Sequence, residues 1–258
     1  MKALLVWTFL LSVLPGCYGA ETPTNPQSVV SHLVALLEDR DPDVRRSAAL
    51  SLGKIADPKA IAPLLKGLSD PDPLVRGHSA WALGNIGEPA LKPAAMALAD
   101  ALGDPSEEVK RAAAEALGRM VDSGGAMQSL VELLLDALYE RDVRQRRAAV
   151  TALGQIEARS AYLGLVDALR DEDALVRQGA VAALGELADP RALPALTSRL
   201  AQDPDAGVRT EAAFRLGKFG DAATVAPLKV AADNDPDQGV RRWAAWAVQG
   251  LTGADSNS

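Results

Sequence analysis

Residues 41–55 read Asp-Pro-Asp-Val-Arg-Arg-Ser-Ala-Ala-Leu-Ser-Leu-Gly-Lys-Ile. The underlying pattern, Asp-x-x-Val-Arg-x-x-Ala-Ala-x-Ala-Leu-Gly-x-Ile, occurs seven times, with Arg45, Arg76, Lys110, Arg146, Arg177, Arg209 and Arg241 at the arginine position. Successive copies are 31, 34, 36, 31, 32 and 32 residues apart. A unit of that length is one helix pair, and stacked pairs bury a continuous core as a solenoid. Such a fold offers a surface more readily than it encloses a reaction.

Each copy carries the signals of a capped helix. Four residues before the arginine position stand Asp41, Asp72, Ser106, Asp142, Asp173, Asp205 and Asp237. Their side-chain oxygens suit the free N–H groups of a first turn. Pro42 and Pro73 follow directly, at the helical position where a missing N–H costs nothing. Val44, Ala48, Ala49, Leu52 and Ile55 then form a stripe with a period near 3.6, repeated by Val176, Ala180, Val181, Leu184 and Leu187. Gly53, Gly84, Gly118, Gly154, Gly185 and Gly217 recur late in the pattern. Each marks either a helix end or the close passage of another backbone. Asp57-Pro58 and Asp189-Pro190 open a further apolar helix, with Pro63, Pro194 and Pro227 expected in first turns.

The stretches that run from Asp41 through Leu68, and from Asp173 through Leu196, resemble HEAT repeats. They resemble more narrowly the HEAT-like repeats named for phycobilisome lyases, and the likeness covers residues 26–251. It implies an all-α, right-handed α-solenoid of about seven helix pairs. It also implies that first helices lie on the convex side and second helices on the concave side, with Asp and Arg columns forming ladders between repeats. Composition agrees, since aromatic residues make up only 4% of the 258-residue chain and alanine and leucine carry the packing.

The N-terminus reads differently. Lys2 precedes an apolar run, Ala3 to Leu14, which ends at Pro15-Gly16-Cys17. Those twelve residues are fewer than the roughly 17–25 needed to cross a bilayer, and the pattern fits a secretory signal peptide over residues 1–16. Cleavage before Cys17 would leave that cysteine N-terminal and lipidated, as in a bacterial lipoprotein; ordinary cleavage near Gly19 or Ala20 is the alternative. Residues 17–25 then form a linker and residues 252–258 a polar tail. The single cysteine rules out an internal disulfide framework. The net charge of −7, or −8 once Lys2 is removed, opposes nucleic-acid binding.

Positions one, five and nine after the arginine share a helix face outside the buried stripe. That face carries Arg46, Leu50, Lys54, Trp81, Arg111, Arg119, Arg147, Phe214, Lys218, Arg242 and Trp246. Seven members are basic and two, Glu115 and Glu186, are acidic, a net of +5 on an acidic protein. If the resemblance holds, the face lines the concave groove and suits an acidic, partly apolar protein segment. The competing reading is a solvated face, with basic residues favoured near helix C-termini and Trp243 and Trp246 closing the end of the stack. The arginine column itself is expected to be structural. The irregular middle, with Gly124-Gly125 and an Arg141, Arg144, Arg146, Arg147 cluster, is a bend, a partner site or drift.

Catalytic chemistry is hard to find. Deoxyhypusine hydroxylase, a HEAT-like enzyme, is recognised by His-Glu pairs, whereas His32 is followed by Leu33 and His78 by Ser79. No phosphate loop, nucleophile elbow or zinc motif occurs. The expectation is a non-enzymatic exported scaffold, without metal or cofactor, that binds a protein or acidic peptide and meets the membrane only through its lipid anchor. The alternative is an enzyme or chromophore-handling protein of the lyase-related type.

Overall fold

The computed structural model describes residues 26–121 and 126–253. The signal peptide, Cys17 and linker lie outside the described residues, as do Gly124-Gly125 and all of the expected tail but Thr252 and Gly253. The described residues form seven helix pairs and no strand. The first members are α1 (Pro26–Leu36), α3 (Ile61–Gly67), α5 (Glu88–Ala101), α7 (Ala126–Ala137), α9 (Tyr162–Ala168), α11 (Leu193–Gln202) and α13 (Ala222–Asn234). The second members carry the repeated block: α2 (Pro42–Ile55), α4 (Pro73–Ile86), α6 (Glu107–Val121), α8 (Val143–Gln155), α10 (Ala174–Leu187), α12 (Ala206–Phe219) and α14 (Gln238–Gly253). The architecture is an all-α solenoid.

Local chemistry sets the boundaries. Asp41, Asp72, Asp142, Asp173 and Asp205 are N-caps whose carboxylates accept backbone N–H groups of the first turn. Asp237 accepts from Gly239 and Val240 in the same way. One expectation is corrected. Pro227 lies inside α13 rather than in its first turn, because that helix starts earlier, at Ala222 behind its cap Asp221. It therefore cannot donate to the carbonyl four residues back.

The core is a repeated layer. Leu52, Leu83, Leu117, Leu153, Leu184 and Leu216 are each at most 1% exposed, on the side of the even helices that faces their odd partners and row neighbours. The late glycines lie within the helices, so none is a stop, and all but Gly118 are close-approach residues. A Cβ on Gly84 would meet the Ala116 Cα at 2.6 Å, and one on Gly217 would meet the Ala247 Cα at 2.9 Å. Even helices therefore pack closely in one row, α2 on α4 on α6, then α8 on α10 on α12 on α14, with the Arg215 side chain rather than backbone against Gly185.

The row is interrupted once. Toward the preceding repeats, helix α8 packs on α5 and α7 rather than on α6. Gly118, the glycine of α6, accordingly has nothing within 4 Å of where its Cβ would stand. The irregular middle of the sequence coincides with a break in the stacking of the even-helix row.

The arginine column forms the ladder that joins the repeats. Nε and Nη2 of Arg45 donate to Asp70 at 2.7 and 2.8 Å, while Nη1 donates to the carbonyls of Asp39 and Arg40 in its own loop. The same fork joins Arg76 to Asp104, Arg146 to Asp171, Arg177 to Asp203 and Arg209 to Asp235. Each acceptor aspartate also takes the N–H two residues on, as Asp70 takes that of Asp72. At the interrupted junction the column holds Lys110, which pairs with Glu107 of its own helix at 2.7 Å.

Burial is the largest single influence on Asp70, Asp203 and Asp235 and opposes their ionisation, but the arginine hydrogen bond, the backbone N–H two residues on and the attraction of the guanidinium charge together hold all three below the usual aspartate range. A second rung appears where an arginine follows the first. Arg46 binds Asp72 and Arg147 binds Asp173, and these guanidinium contacts hold both carboxyls at about 2.

Two outcomes are expected. Arg209→Met should cost about 3–5 kcal/mol, because it leaves a nearly buried Asp235 without its cation, whereas Lys66→Met, on an exposed 3.9 Å contact to Glu38, should leave the denaturation midpoint unchanged. Equal losses in urea titration would mean that the ladder is not structural. The depressed aspartates contribute stability that is complete above their unfolded value of about 3.9 and is lost as pH falls through the folded value. Unfolding free energy should therefore decline from about pH 4 toward the value near 2 at which Asp72 and Asp173 protonate. A flat profile across that window contradicts the ladder.

Candidate functional site

The face predicted from the sequence is an open surface along the even row. Gly77, Trp81, Arg111 and Glu115 line a depression of about 450 Å³ between α4 and α6, with His78 beside them. Thr151, Gln155, Ala182 and Glu186 line another between α8 and α10, closed by Arg215 of α12.

The charge on the face is lower than the sequence suggests. Arg46 donates to Asp72 of the next repeat and to Asp43. Arg147 is 2.6 Å from Asp173. Arg119 pairs with Glu115 at 3.1 Å and donates to Asn85. The expected +5 is corrected accordingly: Asp72 and Asp173 are helix caps, and they neutralise arginines 26 positions earlier in the chain. Among the described residues, Lys54, Arg111, Lys218 and Arg242 make no ion pair. Leu50 is partly buried on the open side of α2.

The aromatic members fall in two places. Trp81 lies over the glycine of the preceding even helix, where a Cβ on Gly53 would meet its ring at 2.5 Å. The Arg119 guanidinium sits 6.0 Å from the same ring. Trp246 lies over Gly217 in the same manner, at 2.7 Å. There it stacks on Phe214 at 5.8 Å, and Trp243 meets both rings edge-on at 5.2 and 5.4 Å. Lys218 stands 5.6 Å from the Phe214 ring and Arg215 5.3 Å from it. Trp243 and Trp246 remain 36% and 40% exposed, so the cluster is a surface feature.

Trp243 and His78 lie two residues after the arginine, off the predicted face, yet both border it. The Nδ1 atom of His78 is buried and has no hydrogen-bond partner among the described residues. Phe214 and Trp243, 29 positions apart in the chain, meet only because α14 stacks on α12, which the repeat register alone could have suggested. Among the described residues no three His, Cys, Asp or Glu side chains are grouped to hold a metal ion. Nor is any helix there long and apolar enough to cross a membrane.

Comparison with known proteins places the chain. No curated protein matches its sequence. Among solved structures, human deoxyhypusine hydroxylase in complex with glycerol is similar at 27% identity, over 87% of this chain and 84% of that one, with a TM-score of 0.42. An engineered protein is similar at 25% identity, over 86% and 68% of the two chains, with a TM-score of 0.43. The complex of CpcE and CpcF of phycocyanin lyase from Nostoc sp. PCC7120 is similar at 23% identity, over 92% and 100%, with a TM-score of 0.36. The family model for HEAT repeats matches residues 30–117, 131–214 and 162–249, which together take in most of the chain. The chain belongs to the HEAT-repeat family.

Proposed function

We propose that this chain is a non-enzymatic exported scaffold that binds an acidic, partly apolar segment of another protein along the even-helix face. The observation that carries the reading is the cluster of Phe214, Trp243 and Trp246, with exposed indoles and the unpaired cation Lys218 against the Phe214 ring. Exposed rings next to free cations supply contact area and charge together, the combination found at interface hot spots. The Trp81–Arg111 hollow offers the same pairing earlier in the row. Arg46, Arg119 and Arg147 hold the solenoid's own carboxylates or amides and are not counted as partner contacts.

Export is supported by Lys2, the apolar run to Leu14 and Pro15-Gly16-Cys17, and lipidation by the placement of the single cysteine at the end of that run. Intact-mass measurement on the membrane fraction should give a chain that begins at Cys17 and carries lipid. A mass that begins at Met1 removes the anchor.

Binding is tested with the protein captured from the native envelope by affinity purification and identified by mass spectrometry. Trp246→Ala should weaken its binding by roughly 2 kcal/mol or more, at low and high salt alike. Lys218→Glu should weaken it mainly at low salt, because exposed charges are screened beyond about 8–10 Å. Lys66→Glu, on an odd helix, should do neither. Loss of binding with Lys66→Glu alone would move the site to the opposite face.

A further inference from the structure

The ladder leaves one rung open at each end of the described solenoid, and the two open rungs are complementary. At the last pair, Arg241 holds its own loop as the other ladder arginines do, with Nη1 donating to the carbonyls of Asp235 and Pro236. Its Nε and Nη2 have no carboxylate partner among the described residues, and neither has the guanidinium of Arg242 beside it. At the first pair, Asp39 accepts the N–H of Asp41, the turn that every acceptor aspartate of the ladder makes. No cation pairs with Asp39 or Asp41 among the described residues.

The interior shows what joins such ends. Arg45 and Arg46 grip Asp70 and Asp72, and Arg146 and Arg147 grip Asp171 and Asp173. In both cases two adjacent arginines take an Asp-x-Asp turn. Arg241-Arg242 and Asp39-Arg40-Asp41 present the two halves of that joint with the same spacing.

We propose that the protein associates head to tail with a second copy of itself, Arg241 and Arg242 of one chain taking Asp39 and Asp41 of the next. Helix α14 then faces α2 of the second copy, where Leu50 and Ser51 stand at the positions that Trp81 and Ala82 fill in α4. Such a heterologous contact builds an open chain or a ring. The joint is weaker than an interior one. Gln249 occupies the column of Gly53, Gly84, Gly154, Gly185 and Gly217, where a Cβ lies only 2.3 to 3.0 Å from the next helix, so α14 cannot approach as closely. The association is therefore carried by charge.

Sedimentation velocity of the full chain, without added partner, tests this across concentrations up to on the order of 1 mM. The expected result is concentration-dependent assembly at about 0.1 M salt that is lost at about 1 M, where the screening length falls from about 10 to about 3 Å. Asp39→Asn with Asp41→Asn should weaken assembly on the order of tenfold or more while keeping the cap and turn acceptors, since asparagine caps as well as aspartate. Gln249→Gly should tighten it. A monomer at every concentration, assembly that ignores the asparagine pair, or a Gln249→Gly chain that associates no better overturns the proposal. The measurement uses no partner protein, so its outcome is independent of the binding reading above.

Discussion

A guanidinium that reaches in two directions organises this molecule. Each ladder arginine but the last, Arg241, holds two carbonyls of the loop before its own helix and, with its other nitrogens, an aspartate of the following loop, as Arg177 does with Asp171, Glu172 and Asp203. One side chain thereby sets the start of its helix and the position of the next repeat. The planar fork of arginine suits this and the point charge of lysine does not. At Lys110 the contact stays within one helix, and it is there that α8 lies on α5 instead of α6. Hydrophobic layers supply the bulk of the packing, but their alanines and leucines are nearly the same in every repeat and cannot by themselves specify which helix stacks on which. The forks add direction.

Much of the fold was legible because its rules are local and repeated. The cap aspartates, the leucine column and the period of 31 to 36 residues located the helix pairs. The glycines stayed ambiguous until the neighbouring helix was known, since a stop and a close approach leave the same residue in the sequence. Pro227 was expected too early in its helix because the cap of α13, Asp221, lacks the following proline that marks Asp57-Pro58 and Asp189-Pro190.

The candidate face was legible as a face but not as a charge. Its residues do share one side of each even helix, and their hollows are open. What a linear count misses is that a helix cap can serve a second role. Asp72 and Asp173 were assigned to their own N-termini, and they also neutralise Arg46 and Arg147 of the preceding repeat. The exposed chemistry contracts to the rings of the last two pairs and to the hollow at Trp81. The aromatic cluster assembles across α12 and α14, so its third member, Trp243, belonged to no single-helix pattern.

If the forks couple the repeats, the solenoid should open in two blocks, divided where the fork is missing. Native-state hydrogen exchange read by mass spectrometry measures this directly, since protection reports the free energy of each cooperative opening. Helices α2, α4 and α6 should share one level of protection and α8, α10, α12 and α14 another, with the step between α6 and α8. A single level across all seven even helices, or a step at a junction that carries a fork, would contradict the account.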